Sequence, residues 1–208
     1  MNFGRARHWK VSEAIRILLA KGDHMVLFKK HLRPEELGSM LYEALRRGLE
    51  SDGDLSLQRL VQSLELESEQ LHPQYAGEVM IGLMYAATLA IERSTPQRVA
   101  QMIGTGMKVE FSNHLREQGA SPLQIAEWEA TVASTFLQYR TCLEDYSGFE
   151  PPWKLGRQLF WNLLDRKEYV AMSIKIATLY LVAARDAVQG LLNTHGPVLL
   201  IPPSSGNA

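Results

Sequence analysis

Two carboxylate–imidazole pairs in this sequence have spacings that could do chemistry. Glu69 and His72 stand three residues apart, and Glu110 and His114 four apart. At either spacing one helix presents both groups on the same side. A di-iron or di-manganese carboxylate centre takes two Glu-x-x-His pairs and further glutamates from facing helices. This chain offers one such pair, and Pro73 follows it directly, which puts it at a helix boundary. Glu110 and His114 fall at the edge of an apolar face formed by Met107, Phe111 and Leu115. The other histidines are dispersed at positions 8, 24, 31 and 195. Glu69, His72, Glu110 and His114 therefore stand as a candidate polar site, with no metal and no cofactor expected.

Aromatic side chains gather further along. Trp128, Tyr146, Phe149, Trp153, Phe160 and Trp161 concentrate ring surface within 34 residues. Core packing accounts for most such clusters, and a groove for a partner peptide or flat ligand is the functional alternative. The Phe149–Trp153 connection is the place to look first, because a loop aromatic beside prolines answers less to core demand. Cys142, the sole cysteine, sits on a helical apolar face and reads as a structural thiol. Phosphate loops, Cys-x-x-Cys, His-Glu-x-x-His and Gly-x-Ser-x-Gly are all absent.

Leu57 to His72 has the apolar spacing of a helix-turn-helix. Its turn position holds Glu65 where glycine is usual, and no Lys or Arg occurs from Glu65 to Ile91. An acidic face repels the phosphates that supply most non-specific affinity for DNA, so nucleic acid is not the expected partner.

Helical signals position all these residues. Ser12 can cap a helix over 13–21, and Pro34, Glu35 and Glu36 open a second that runs to Gly48. A third starts at Asp54 or Ser56, and a fourth runs from Pro73 to about Arg93. Thr95-Pro96 starts a fifth on Val99, Ile103, Met107, Phe111 and Leu115, with Gly104 and Gly106 marking a kink or close contact inside it. Ser121 and Gln124 have capping-box spacing before the stripe Ile125, Trp128, Val132, Phe136, Tyr139 and Leu143. A short helix over 153–164 and a long one from Asp165 to about Asn193 complete the set, the last closed by Gly196-Pro197. No stretch alternates as a strand does.

Two helices, around 79–91 and 170–192, are apolar nearly all round and must be enclosed. These patterns predict an all-α, single-domain bundle of about seven or eight helices with two nearly all-apolar central helices. The bundle should span 1–196, with a possible small helical subdomain at 1–72. Residues 197–208 should form an extended or disordered tail. A homodimer is expected, paired through 170–192.

Both apolar helices fall short of a membrane span, and the basic stretch after Met1 leads into no signal-like apolar run. With one cysteine, this fits a soluble, cytoplasmic protein. Net charge is −1 but unevenly spread: residues 1–33 carry eight Lys/Arg against two acids, residues 34–92 three against eleven. The functional expectation is a non-catalytic interaction or regulatory module acting through protein-binding surfaces, and catalysis is not expected. Two alternatives are a helical enzyme or ligand-binding protein built from dispersed His/Glu and aromatic residues, and a DNA-binding regulator using 57–72.

Overall fold

The structure is a computed structural model that describes residues 33–66, 73–144, 150–164 and 170–199. In chain order the helices are α1 (Pro34–Glu50), α2 (Leu57–Ser63), α3 (Pro73–Ser94), α4 (Gln97–Glu117), α5 (Pro122–Glu144), α6 (Pro151–Leu164) and α7 (Ala171–Leu199). No strand occurs among the described residues, so the fold is all-α. The helix expected at 13–21, the Glu69–His72 pair, Tyr146 and Phe149 lie outside them.

Local chemistry sets most boundaries. The Arg33 N–H donates to Glu36 Oε2 at 3.1 Å, and Pro34 fills the first helical position of α1. Ser56 caps α2 by accepting from the Arg59 N–H. Ser121 and Gln124 close the expected reciprocal box ahead of α5, at 2.9 and 3.3 Å. After α2 the Leu66 N–H returns to the Val61 carbonyl and the Glu65 N–H to Gln62, each at 3.1 Å. That pairing requires a left-handed residue, and Glu65 supplies it with φ 55°. At the other end of the chain, α7 runs through Gly196-Pro197 to Leu199, past the expected stop. A proline in the last turn removes one hydrogen bond without breaking what precedes it, and the helix ends two residues later.

α3 is the hub. It packs against α1, α4, α5, α6 and α7, and Val79, Ile81, Leu83, Met84, Ala87 and Ala90 are fully buried on its several faces. Five neighbours satisfy the requirement that an all-apolar helix be enclosed. Around it, α1 lies backbone-to-backbone on α4: a Cβ on Gly38 would run into the Ile103 carbonyl, and one on Gly106 into the Glu35 carbonyl. Gly156 of α6 approaches Thr178 of α7 as closely.

Among the described residues, α7 is enclosed on one face only. Ile174, Ala177, Tyr180, Leu181, Ala184, Val188 and Leu192 are buried, while Met172 remains 66% and Leu179 49% exposed. Ile176 and Ala183 on that outer side are half-buried. Tyr180 also reaches the link between α1 and α2, where its hydroxyl donates to the Leu55 carbonyl at 2.6 Å. No helix among the described residues is long and apolar enough to cross a membrane.

Candidate functional site

A cavity of about 500 Å³ opens where α1, α2, α3, α4 and α5 converge. Helical periodicity builds its walls. α1 contributes Tyr42, Arg46, Leu49 and Glu50, one turn above another, and α4 contributes Phe111, His114 and Leu115 at the same rhythm, with Gln118 capping its C-terminus. Ala76, Gly77 and Met80 of α3 form the floor, Trp128 comes from α5, and the α1–α2 link adds Ser51 and Asp52.

Four rings form a continuous wall. Trp128 meets Phe111 edge-on with centroids 6.3 Å apart, Phe111 meets Tyr42 at 6.0 Å, and Tyr42 meets His114 at 6.2 Å. Trp128 reaches this position because residue 77 is glycine; a Cβ there would lie 2.8 Å from the indole Cζ3. Tyr42 is only 1% exposed, yet its hydroxyl finds no hydrogen-bond partner among the described residues. Burial pushes its ionisation well above the ordinary range, with Arg46 opposing that shift, so the hydroxyl stays protonated.

Charge sits at the mouth. Arg46 binds Glu43 through Nε and Nη2 at 3.1 and 2.9 Å, and both Glu50 oxygens through Nη1 at 2.8 and 2.9 Å. The Arg46 hydrogen bond holds the Glu43 carboxyl below the usual carboxylate range. Asp52 is exposed beside them. His114 Nε2 lies 3.1 Å from the Gln118 amide.

The described residues contain no group of three His, Cys, Asp or Glu placed to hold a metal. The cavity does provide an apolar, aromatic body with a few convergent polar groups, the usual make-up of a small-molecule site.

The structure distributes the residues singled out in sequence. His114 and Trp128 come together in this cavity, although they belonged to different candidate groups. Glu110 is half-buried on α4 and adds its charge near Tyr42. Phe160 is core; Trp153 and Trp161 pack half-buried against it, and Arg157 lies 4.7 Å over the Trp161 ring. Cys142 is buried, its thiol donating to the Tyr139 carbonyl at 3.0 Å. Tyr42, Arg46 and Phe111 escaped notice as site residues, because Phe111 read as core and the charges as a solvated face. The one available signal was the Glu43–Arg46–Glu50 spacing inside the acidic segment.

Two further features are polar. A cleft of about 660 Å³ between α3, α4 and α5 is lined by Glu92, Gln101, Lys108 and Arg140, with Lys108 5.6 Å above the Phe136 ring. Deeper in the bundle, Glu78 Oε2, the Tyr139 hydroxyl and Asn162 Nδ2 are buried with no hydrogen bond among the described residues. Desolvation raises the Glu78 carboxyl above its ordinary value; the Asn162 amide is near enough to oppose that shift in part, without closing a hydrogen bond of normal geometry. Comparison with protein-family models, curated proteins and solved structures finds no match for this chain.

Proposed function

We propose that the protein is a non-catalytic helical regulatory module that binds a small, largely apolar ligand in the α1–α5 cavity. The aromatic wall of Tyr42, Phe111 and Trp128 around a cavity of about 500 Å³, with the Tyr42 hydroxyl unpartnered among the described residues, carries this reading. Of the expectations drawn from sequence, the ligand-binding protein built from dispersed His, Glu and aromatic residues is the one this geometry favours.

A thermal-shift screen of the full chain against small aromatic compounds tests the reading. A binder held at 100 times its dissociation constant stabilises the fold by about 2.7 kcal/mol. Ala76→Phe, which fills the cavity from its floor, should abolish the shift while leaving the unliganded protein folded. Equal shifts in both proteins would place the compounds elsewhere and reject the cavity.

Self-association is the second part of the proposal. Met172, Ile176, Leu179 and Ala183 form the outer face of α7, and Met172 and Leu179 are the exposed large apolar residues on it. Pairing two such faces across a two-fold axis would cover them reciprocally.

A further inference from the structure

We infer that the ligand of the α1–α5 cavity is an organic cation: an ammonium, amidinium or protonated heteroaromatic group carried on a flat or compact apolar body. The inference rests on the cavity's being a ligand site and adds what charge that ligand bears. The argument starts from Arg46, the one permanently cationic side chain among the described residues of the lining. Its Nε, Nη1 and Nη2 are all engaged by Glu43 and Glu50, with both oxygens of each carboxylate in use. An incoming anion would meet a guanidinium whose charge two carboxylates already share, and would be repelled by both of them. Bidentate charge-assisted pairs also resist exchange.

What remains at the mouth is negative. Glu43, Glu50 and Asp52 face Arg46 and Arg47, three carboxylates against two guanidinium groups, and Glu110 adds its charge on the α4 side. The strong acidic excess of residues 34–92 thus gathers in part where α1 and the α1–α2 link border the cavity. Below that rim, Tyr42, Phe111 and Trp128 line the cavity, Trp128 the part-exposed ring of the three, and a cation above a ring face is attracted by its quadrupole, tryptophan most strongly. The Tyr42 hydroxyl, with no donor of its own among the described residues, can accept an N–H from such a group. Negative rim, aromatic wall and a free acceptor converge on one ligand chemistry.

Matched probes separate charge from shape. Tryptamine, tryptophol and indole-3-acetate share a ring and differ in charge; 1-adamantanamine, 1-adamantanol and 1-adamantanecarboxylate do the same on a compact body. Calorimetric titration of the full chain at low salt should show each set's amine binding about tenfold or more tightly than its carboxylate, with the alcohol between. Asp52→Asn, a change at an exposed position, should narrow the amine-to-carboxylate ratio about threefold, and 0.5 M salt should narrow it further. Glu50→Gln should raise carboxylate binding by loosening Arg46. Equal affinities within a set, or a tighter carboxylate, would overturn the cation assignment and leave the cavity as a ligand site. Failure of every probe to saturate, with Ala76→Phe equally silent, would overturn both.

Discussion

Glu65 is the residue whose backbone does most against its own chemistry. A side chain at φ 55° meets its neighbouring carbonyl, at a cost of about 1–2 kcal/mol that glycine avoids. Glu65→Gly should therefore stabilise the protein by about 1 kcal/mol in urea unfolding, and a loss of stability would show that the carboxylate does something there. The sequence already marked this position as one where glycine is usual. What it could not show is that the chain takes the left-handed turn anyway, because the pull comes from the Val61 and Gln62 carbonyls. Glu78 is the complementary case. Its folded carboxyl titrates above the unfolded one, so its contribution is most favourable below the unfolded value and is lost as pH rises through the folded value. Glu78→Gln should accordingly be more stable than the parent at pH 7. Lowering the pH toward 4 should shrink the gap, and a difference independent of pH would remove desolvation as its cause. Nothing in the spacing of Glu78 announced its burial; that depends on Asn162 and Tyr139 arriving from α6 and α5.

Among elements, α4 carries a pair of glycines that look equivalent in sequence and are not. Gly106 is pressed against the α1 backbone at Glu35, while around Gly104 the space is open. Gly104→Ala should stabilise by about 0.5–1 kcal/mol through helix propensity alone. Gly106→Ala and Gly38→Ala should each destabilise by about 2 kcal/mol or more, since only a shift of one backbone relieves the clash. Thermal denaturation of the three variants tests this, and equal effects at 104 and 106 would contradict the described α1–α4 contact. Spacing made a close approach expected somewhere near these residues. Choosing between them needed the partner helix, whose own Gly38 sits some seventy positions away. Stripes and caps were legible from local chemistry, as at Ser121 and Gln124, whereas the cavity was not: its walls come from five elements and only fold-level packing brings Tyr42 to Phe111.

For the whole molecule, enclosure was readable as a need and unreadable as a solution. Two helices had no polar face; among the described residues, five neighbours enclose α3 and α7 stays open on one side. The proposed pairing predicts a light-scattering mass near twice 23.5 kDa at micromolar concentration. Leu179→Lys should return it to the single-chain value without unfolding it, and a parent already at 23.5 kDa on tenfold concentration would end the dimer reading. The central placement of α3 also has a consequence for how the protein is made. α3 is complete at Ser94, but α7, which shields one of its sides, is not complete until Leu199. At about 5–20 residues per second a ribosome needs on the order of 5–20 s to cover that distance. Throughout that interval the nascent chain holds this apolar helix with one flank uncovered. The cell must either keep that flank occupied, as a holding chaperone does, or lose a fraction of each round of synthesis to aggregation.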